Sequence, residues 1–148
     1  MGMLIAFDPG PMLGQSRPRE EFKALMREVD LALRNAHEIC HLTRESNLRR
    51  SPARMRDICP GNVVVKCGAA GVRRLEPGES NARHIAAPRV RAVNAVGAGD
   101  TFNGALSASL LRGTNLPRAI EEAIRAVARL VASGAGVLGV PSSANRAV

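Results

Sequence analysis

The chain of 148 residues has no tryptophan, no tyrosine and only three phenylalanines. Proteins use aromatic side chains to stack unpaired bases, so this scarcity argues against single-stranded nucleic acid as a partner. Lysine is also rare, because Lys23 and Lys66 are the only two among 21 basic residues. The arginines are scattered rather than gathered into one stripe. The net charge of +8 therefore fits a small polyphosphate ligand at least as well as nucleic acid.

Cysteine is scarce as well, with Cys40, Cys59 and Cys67 and no Cys-x-x-Cys pair. An odd number without that spacing provides neither a disulfide framework nor a zinc knuckle, so we expect a cytoplasmic protein. Long hydrophobic runs are missing too. The opening MGMLIAF is too short for a signal peptide, and no later run reaches the roughly 20 residues that cross a bilayer. We expect a soluble protein.

Strand and helix patterns alternate along the chain. The valines in 62–66 predict a buried parallel strand, and helical periodicity marks 100–111 and 116–133. Residues 19–33 have a helical period, yet 31–33 also fit a short strand before a new helix at Asn35, and periodicity leaves both open. The alternation predicts an α/β fold with a mostly parallel sheet flanked by helices.

The most informative segment is the glycine-rich turn NAVGAGDTFNGAL at 94–106. Small residues at Gly97, Ala98 and Gly99 let a ligand approach the backbone, and the helix that follows directs its free N–H groups to the same place. The segment therefore predicts an anion hole suited to a phosphoryl group. Asp100 either caps this helix or acts as a general base for an attacking hydroxyl, and the residues alone leave both open.

The run Val-Gly-Ala-Gly-Asp-Thr-Phe-x-Gly-Ala-Leu resembles the C-terminal signature of the PfkB, or ribokinase-like, carbohydrate kinases. The resemblance implies that Asp100 is the catalytic base for a sugar hydroxyl. It also implies that Gly97, Ala98 and Gly99 form the anion hole for the transferring phosphate. The family usually begins this signature with Asp-Thr, where this chain has Asn94-Ala95. Because the resemblance links those positions to a monovalent-cation site and to support of the loop, cation dependence and full activity stay open.

Other segments follow in the family's order. Ile5-Ala6-Phe7-Asp8-Pro9 resembles a strand ending in Phe-Asp-Pro, and 123–135 resembles the helix beside the adenine. Asn35-Ala36-His37-Glu38 matches an Asn-x-x-Glu motif, which implies that Asn35 and Glu38 hold magnesium through water. Residues 63–71 resemble the strand and glycine loop that bind the nucleotide. That match implies ATP contacts from Lys66, Gly68 and Gly71.

The same stretch contains a competing pattern. His37-Glu38-Ile39-Cys40-His41 fits His-Glu-x-x-His, in which two histidines one helical turn apart bind zinc and the glutamate acts as base. A zinc protease needs a third protein ligand, and no His-x-x-Gly-x-x-His extension follows. This metalloprotease interpretation also leaves the glycine-rich turn unexplained, so we rank it third.

The resemblance covers nearly the whole chain but only the C-terminal, ATP-binding part of the family. We therefore expect 1–140 to form a truncated ribokinase-like domain without the sugar-binding half and lid, and 141–148 to be a frayed tail. The expected activity is transfer of the γ-phosphate of ATP, with Mg²⁺, to a hydroxyl of a sugar or related small alcohol. We expect low turnover in isolation, and either self-association or a partner that supplies the missing half. The alternative is a non-catalytic nucleotide-binding remnant or scaffold.

Overall fold

The computed structural model describes residues 3–10 and 19–134. The predicted tail 141–148 lies outside these ranges. In chain order the elements are β1 (Ala6–Phe7), α1 (Arg19–Arg27), β2 (Leu31–Asn35), α2 (Ala36–Thr43), α3 (Ser51–Met55), β3 (Asn62–Lys66), β4 (Val72–Leu75), β5 (Arg83–Ile85), α4 (Ala98–Leu111) and α5 (Leu116–Ser133). The chain divides into two compact units, one with 1–68 and 72–85 and the other with 69–71 and 86–148. No helix in the described ranges is both long and apolar enough to cross a membrane.

The sheet of the first unit contains β1 to β5 in chain order across the described residues. β1 pairs with β2 and β2 with β3 in parallel, whereas β3 pairs with β4 and β4 with β5 in antiparallel fashion. The predicted α/β class is confirmed, and the sheet itself is mixed. The antiparallel half follows from connection length, because the short turn after Lys66 is far too short for the crossover that a parallel partner requires.

Residues 19–35 form a helix and then a strand, which resolves the alternative that periodicity left open. α1 ends in tight turns, where the Glu28 amide donates to the Leu25 carbonyl at 3.1 Å. β2 then buries four consecutive residues, Leu31 to Arg34. Burial on both sides of the chain suits a central strand better than an amphipathic helix.

The hydrophobic core of the first unit joins α1, α2 and α3 to the sheet. Its buried side chains include Met26 from α1, Ile39 from α2, Met55 from α3, and Val63 and Val65 from β3. The Arg56 guanidinium fastens the connecting segments by donating to the carbonyls of Gly61 at 2.6 Å and Glu76 at 2.8 Å. These contacts tie the start of β3 to the end of β4, at the end of the sheet opposite Lys66.

Gly61 precedes β3 at a point where two backbone segments nearly touch. A Cβ atom at this position would lie 2.3 Å from the Val29 carbonyl oxygen and 2.7 Å from that of Asp30. We predict that Gly61→Ala lowers the free energy of unfolding by roughly 1–3 kcal/mol, since the backbone has to shift. Urea unfolding measures this. Gly104→Ala is the control, because its added Cβ would meet nothing within 4 Å. Equal stability of the two variants would contradict the prediction.

The second unit is built on a hairpin of α4 and α5. Phe102 and Leu106 of α4 are buried, as are Ile120 and Ile124 on the apolar face of α5. The buried Ser109 hydroxyl donates to the Glu122 carboxylate at 2.6 Å. This hydrogen bond, with help from Arg112, lowers the pKa of Glu122. Gly134 ends α5 in the left-handed conformation, as its sequence position predicts.

Candidate active site

The N-terminus of α4 is formed by the glycine-rich turn. Gly97 occupies the N-cap position with φ of 80°, in the left-handed region that favours glycine. The Asn94 side chain orders the turn by accepting from the Val96 amide at 2.9 Å. The Ala98 amide donates back to the Ala95 carbonyl at 3.1 Å. The family resemblance links this position to support of the loop as well as to a cation site, and Asn94 supports the turn here.

The first amides of α4 are available to a ligand. No side chain caps the helix, and within the described residues the amides of Gly99 and Asp100 donate to no acceptor. The first intrahelical bond runs from the Thr101 amide to the Gly97 carbonyl at 2.9 Å. Free amides and the positive end of the helix dipole together attract an anion. Of the predicted anion hole at Gly97, Ala98 and Gly99, the Gly99 amide is open, whereas the Ala98 amide is bonded to the Ala95 carbonyl. The open amide of Asp100 lies next to that of Gly99.

Asp100 is the third residue of α4 and lies in its first turn. The N-cap position belongs to Gly97, so Asp100 is not the cap of this helix. Its side chain is exposed, and in the part of the chain that the structure describes its carboxylate forms no hydrogen bond or ion pair. A free carboxylate beside open amides can accept a proton from a hydroxyl held nearby.

A second group of polar residues meets at the carboxyl ends of the parallel strands. Asn35 ends β2 and Lys66 ends β3, and the two are direct partners in the strand register. Asp8 follows β1, and its carboxylate lies 2.6 Å from the Lys66 ammonium. Ligands of open α/β sheets bind at this end of parallel strands. The sequence pattern placed Asp8 only at the end of a strand. The structure adds its carboxylate to this group of polar residues.

Asn35 and Glu38 form a capping box at the start of α2. The Asn35 side chain accepts from the Glu38 amide at 2.8 Å, and the Glu38 carboxylate accepts from the Asn35 amide at 3.0 Å. The Asn35 amide group also donates to the other carboxylate oxygen at 2.6 Å. These bonds fix the Glu38 carboxylate at the strand end.

The residues at the strand ends fit magnesium held through water. Glu38, Asp8 and Asn35 offer the oxygen atoms that Mg²⁺ binds, and this ion usually keeps several waters beside one or two carboxylates and phosphates. Both Glu38 oxygens already accept from Asn35. Among the described residues no three His, Cys, Asp or Glu side chains are grouped to hold a metal directly. That Asn35 and Glu38 hold magnesium through water stays a prediction.

His37 and His41 lie one turn apart on α2, as their spacing predicts, and the structure shows that both side chains are exposed. The zinc interpretation still lacks a third ligand, because no suitable side chain joins them in the described ranges. The Glu38 carboxylate, which would serve as the base of a zinc protease, is held by Asn35 instead. The geometry therefore favours the capping role of this motif.

The glycine loop after β3 begins with a short 3-10 turn, Gly68–Ala70. Gly68 has φ of 58° and Gly71 has φ of 94°, so both positions require the left-handed conformation. Gly68 belongs to the first unit and Gly71 to the second. Burial raises the pKa of the neighbouring Cys67 thiol, which disfavours the reactive thiolate.

Comparison with known proteins identifies the family. A profile described as pfkB family carbohydrate kinase matches residues 9–142. The chain belongs to this family. A ribokinase from Thermotoga maritima is 28% identical, with a TM-score of 0.75 over 89% of this chain. An aminoimidazole riboside kinase from Salmonella enterica is 26% identical, with a TM-score of 0.72 over 86% of this chain.

A ribokinase from Cryptococcus neoformans var. grubii serotype A in complex with ADP has the same fold, with a TM-score of 0.78 over 95% of this chain at 19% identity. The pfkB-family chain aligns with only part of each relative's length. It covers 43% of the Thermotoga protein, 46% of the Salmonella protein and 50% of the Cryptococcus protein. The ribokinase-like fold is shared over about half of each relative's length.

Proposed function

We propose that this pfkB-family chain belongs to an ATP-dependent phosphotransferase that acts on a hydroxyl of a sugar or related small alcohol. The observation that carries the proposal is the first turn of α4, where an exposed, unpaired Asp100 carboxylate stands beside uncapped amides. The family membership and the kinases among the structural relatives support this reaction class.

In the proposed reaction Asp100 accepts the proton of the attacking hydroxyl. In the turn formed by Gly97, Ala98 and Gly99, the free amides of Gly99 and Asp100 stabilise the negative charge that develops on the transferring phosphoryl group, because they are already oriented before the reaction begins. ATP would supply the phosphoryl group and leave as ADP, and Mg²⁺ would neutralise part of the charge on the phosphates. The open helix terminus would hold the anion through backbone amides, since its first turn has no positively charged side chain.

The strand-end residues have a separate proposed role. Lys66 contacts phosphate oxygens, and Gly68 and Gly71 let the nucleotide approach the backbone. Asn35 and Glu38 hold the hydrated Mg²⁺, with Asp8 completing the set of oxygen atoms. The capping box and the Lys66–Asp8 ion pair support this assignment, because they keep these side chains fixed before a ligand arrives.

A second candidate is a nucleotide-binding protein without turnover. It would use the same uncapped amides of α4 and would need no proton transfer to Asp100. The edge strand β1 is preceded by Met3 and Leu4, which are 85% and 55% exposed. We propose that self-association or a partner covers this apolar edge. The cytoplasmic location of the protein stays a prediction.

Calorimetric titration of the whole chain with Mg-ATP tests the proposal. We expect saturable binding that Gly99→Val weakens by about tenfold, because the added side chain stands over the free amides. The control is Gly104→Val, which places the same side chain on the same helix where an added Cβ meets nothing within 4 Å. It should bind like wild type.

The outcomes separate the candidates. Wild-type binding that Gly99→Val weakens and Gly104→Val does not would support the anion hole. Binding without phosphate transfer to any sugar would favour the second candidate. Absence of binding at millimolar ATP, or equal losses in both variants, would contradict the proposed role of this turn in the isolated chain.

A further inference from the structure

Arg34 is a buried cation that the proposed reaction does not yet use. It is the penultimate residue of β2 and is only 3% exposed. Within the described residues it forms no ion pair, and its Nε atom has no hydrogen-bond partner. The polar contact of its side chain in the described part of the chain joins Nη2 to the Met26 sulfur at 3.8 Å. A charged group this deep is unusual without a carboxylate in contact.

Two aromatic rings surround the Arg34 guanidinium. Its central carbon lies 5.8 Å from the ring centroid of Phe7 and 5.5 Å from that of Phe22. Planar guanidinium groups stack on such rings, and the rings supply part of the missing solvation. Burial lowers the pKa of Arg34, while the charges of Glu38 and Asp8 act in the opposite direction. Arginine starts from so high a value that it keeps its charge at neutral pH.

Stability does not account for a charge at this position. A linear apolar side chain such as methionine would fill the space between Phe7 and Phe22 without the cost of desolvating a cation. Replacing buried charges by apolar residues of similar volume is often neutral or stabilising. Residues that break a folding rule without an evident local gain are expected at functional positions. The charge of Arg34 therefore calls for a functional explanation.

The charges near the strand ends balance only when Arg34 is counted. Asp8 and Glu38 are negative, and Lys66 is positive and already paired with Asp8 at 2.6 Å. Without Arg34 this group would carry one excess negative charge. Such an excess repels a triphosphate and attracts a free divalent cation. With Arg34 the group is neutral, which lets a nucleotide and its Mg²⁺ approach together.

We propose that Arg34 is a positioning residue whose buried charge balances Asp8 and Glu38, so that the strand ends accept Mg-ATP rather than a free cation. This inference rests on the proposed function. It places specificity for the metal–nucleotide complex in a side chain that touches neither ligand. The sequence pattern of the Asn-x-x-Glu motif does not include this position.

The test compares Arg34→Met with Arg34→Lys by calorimetric titration of the whole chain with Mg-ATP and with MgCl₂ alone. We expect Arg34→Met to weaken Mg-ATP binding by roughly three- to tenfold and to strengthen binding of Mg²⁺ alone. Arg34→Lys keeps the charge and should restore Mg-ATP affinity. Arg54→Met is the matched control, because Arg54 is exposed and its loss changes the net charge equally. It should bind like wild type.

If Arg34 had only a structural role, Arg34→Met would change the affinities for Mg-ATP and for Mg²⁺ alone in the same direction, and Arg34→Lys would not restore Mg-ATP binding. That result would overturn the proposal, as would equal effects of Arg34→Met and Arg54→Met. Thermal unfolding of each variant shows whether it is folded. Since methionine suits the aromatic surroundings, we expect Arg34→Met to be at least as stable as wild type.

A second measurement needs no ligand and separates this inference from the proposed function. In a double-mutant cycle on urea unfolding, Asp8→Asn should cost less in the Arg34→Met background than in wild type, because the stabilising charge is already gone. If the losses in unfolding free energy from Asp8→Asn and Arg34→Met simply add, the two charges are not coupled and the proposal is wrong. If wild type binds no Mg-ATP, the proposed function fails for the isolated chain, and the cycle alone decides whether Arg34 and Asp8 are coupled.

Discussion

Replacing Asp100 by asparagine is expected to slow phosphate transfer from ATP by about 10²–10⁴-fold, which is the usual contribution of general base catalysis. Asparagine has the same shape but cannot accept the proton of the attacking hydroxyl. ATP affinity should change little, since the variant removes an interaction that is made only in the transition state. Single-turnover transfer to a panel of sugars measures the rate, and titration measures the affinity.

The structure predicts that this variant folds normally. Asp100 is exposed, lies in the first turn and does not cap α4. Its loss should cost no more than the roughly 0.3–1 kcal/mol of a carboxylate near a helix N-terminus. Asp57→Asn is a suitable control, because Asp57 is an exposed aspartate outside both polar groups. Undiminished transfer by Asp100→Asn would show that another group is the base or that none is needed.

Local patterns predicted much of the fold. β3 and α5 have the bounds that the sequence predicts. The signals were three consecutive valines for β3 and an apolar stripe for α5. Residues 19–35 were ambiguous because Leu33 continues the helical period, whereas 31–33 also fit a short strand. Burial of the intervening Ala32 and of Arg34 decided for the strand, and burial is a tertiary property. The antiparallel pairing of β4 depended on how short the turn after β3 is.

The site was predictable where its residues are close in sequence. Asn35 and Glu38 are one helical turn apart, and the turn at 97–100 is continuous, so motif and geometry coincide. Asp8 and Lys66 are 58 positions apart, and only folding shows their ion pair. Arg34 could not be singled out, because arginine is normally exposed and its burial between aromatic rings has no sequence pattern.

The second large effect is expected for Gly97→Ala. At φ of 80° this position costs a non-glycine residue about 1–2 kcal/mol, and relief of that strain moves the turn. The free amides of Gly99 and Asp100 follow directly after it, so their direction would change. Displacements of about 1 Å at such sites cost on the order of 100-fold, and we expect an ATP affinity lower by about that factor.

Gly113→Ala provides the matched control for strain. Gly113 follows the other end of α4 with φ of 82°, and an added Cβ there meets nothing within 4 Å. Both variants should therefore lose similar stability in urea unfolding, while only Gly97→Ala loses ATP affinity in calorimetric titration. If the two variants bound ATP equally well, the amides at the start of α4 would not be the phosphate site. If both lost affinity, the effect would reflect the stability of the helix rather than the geometry of its first turn.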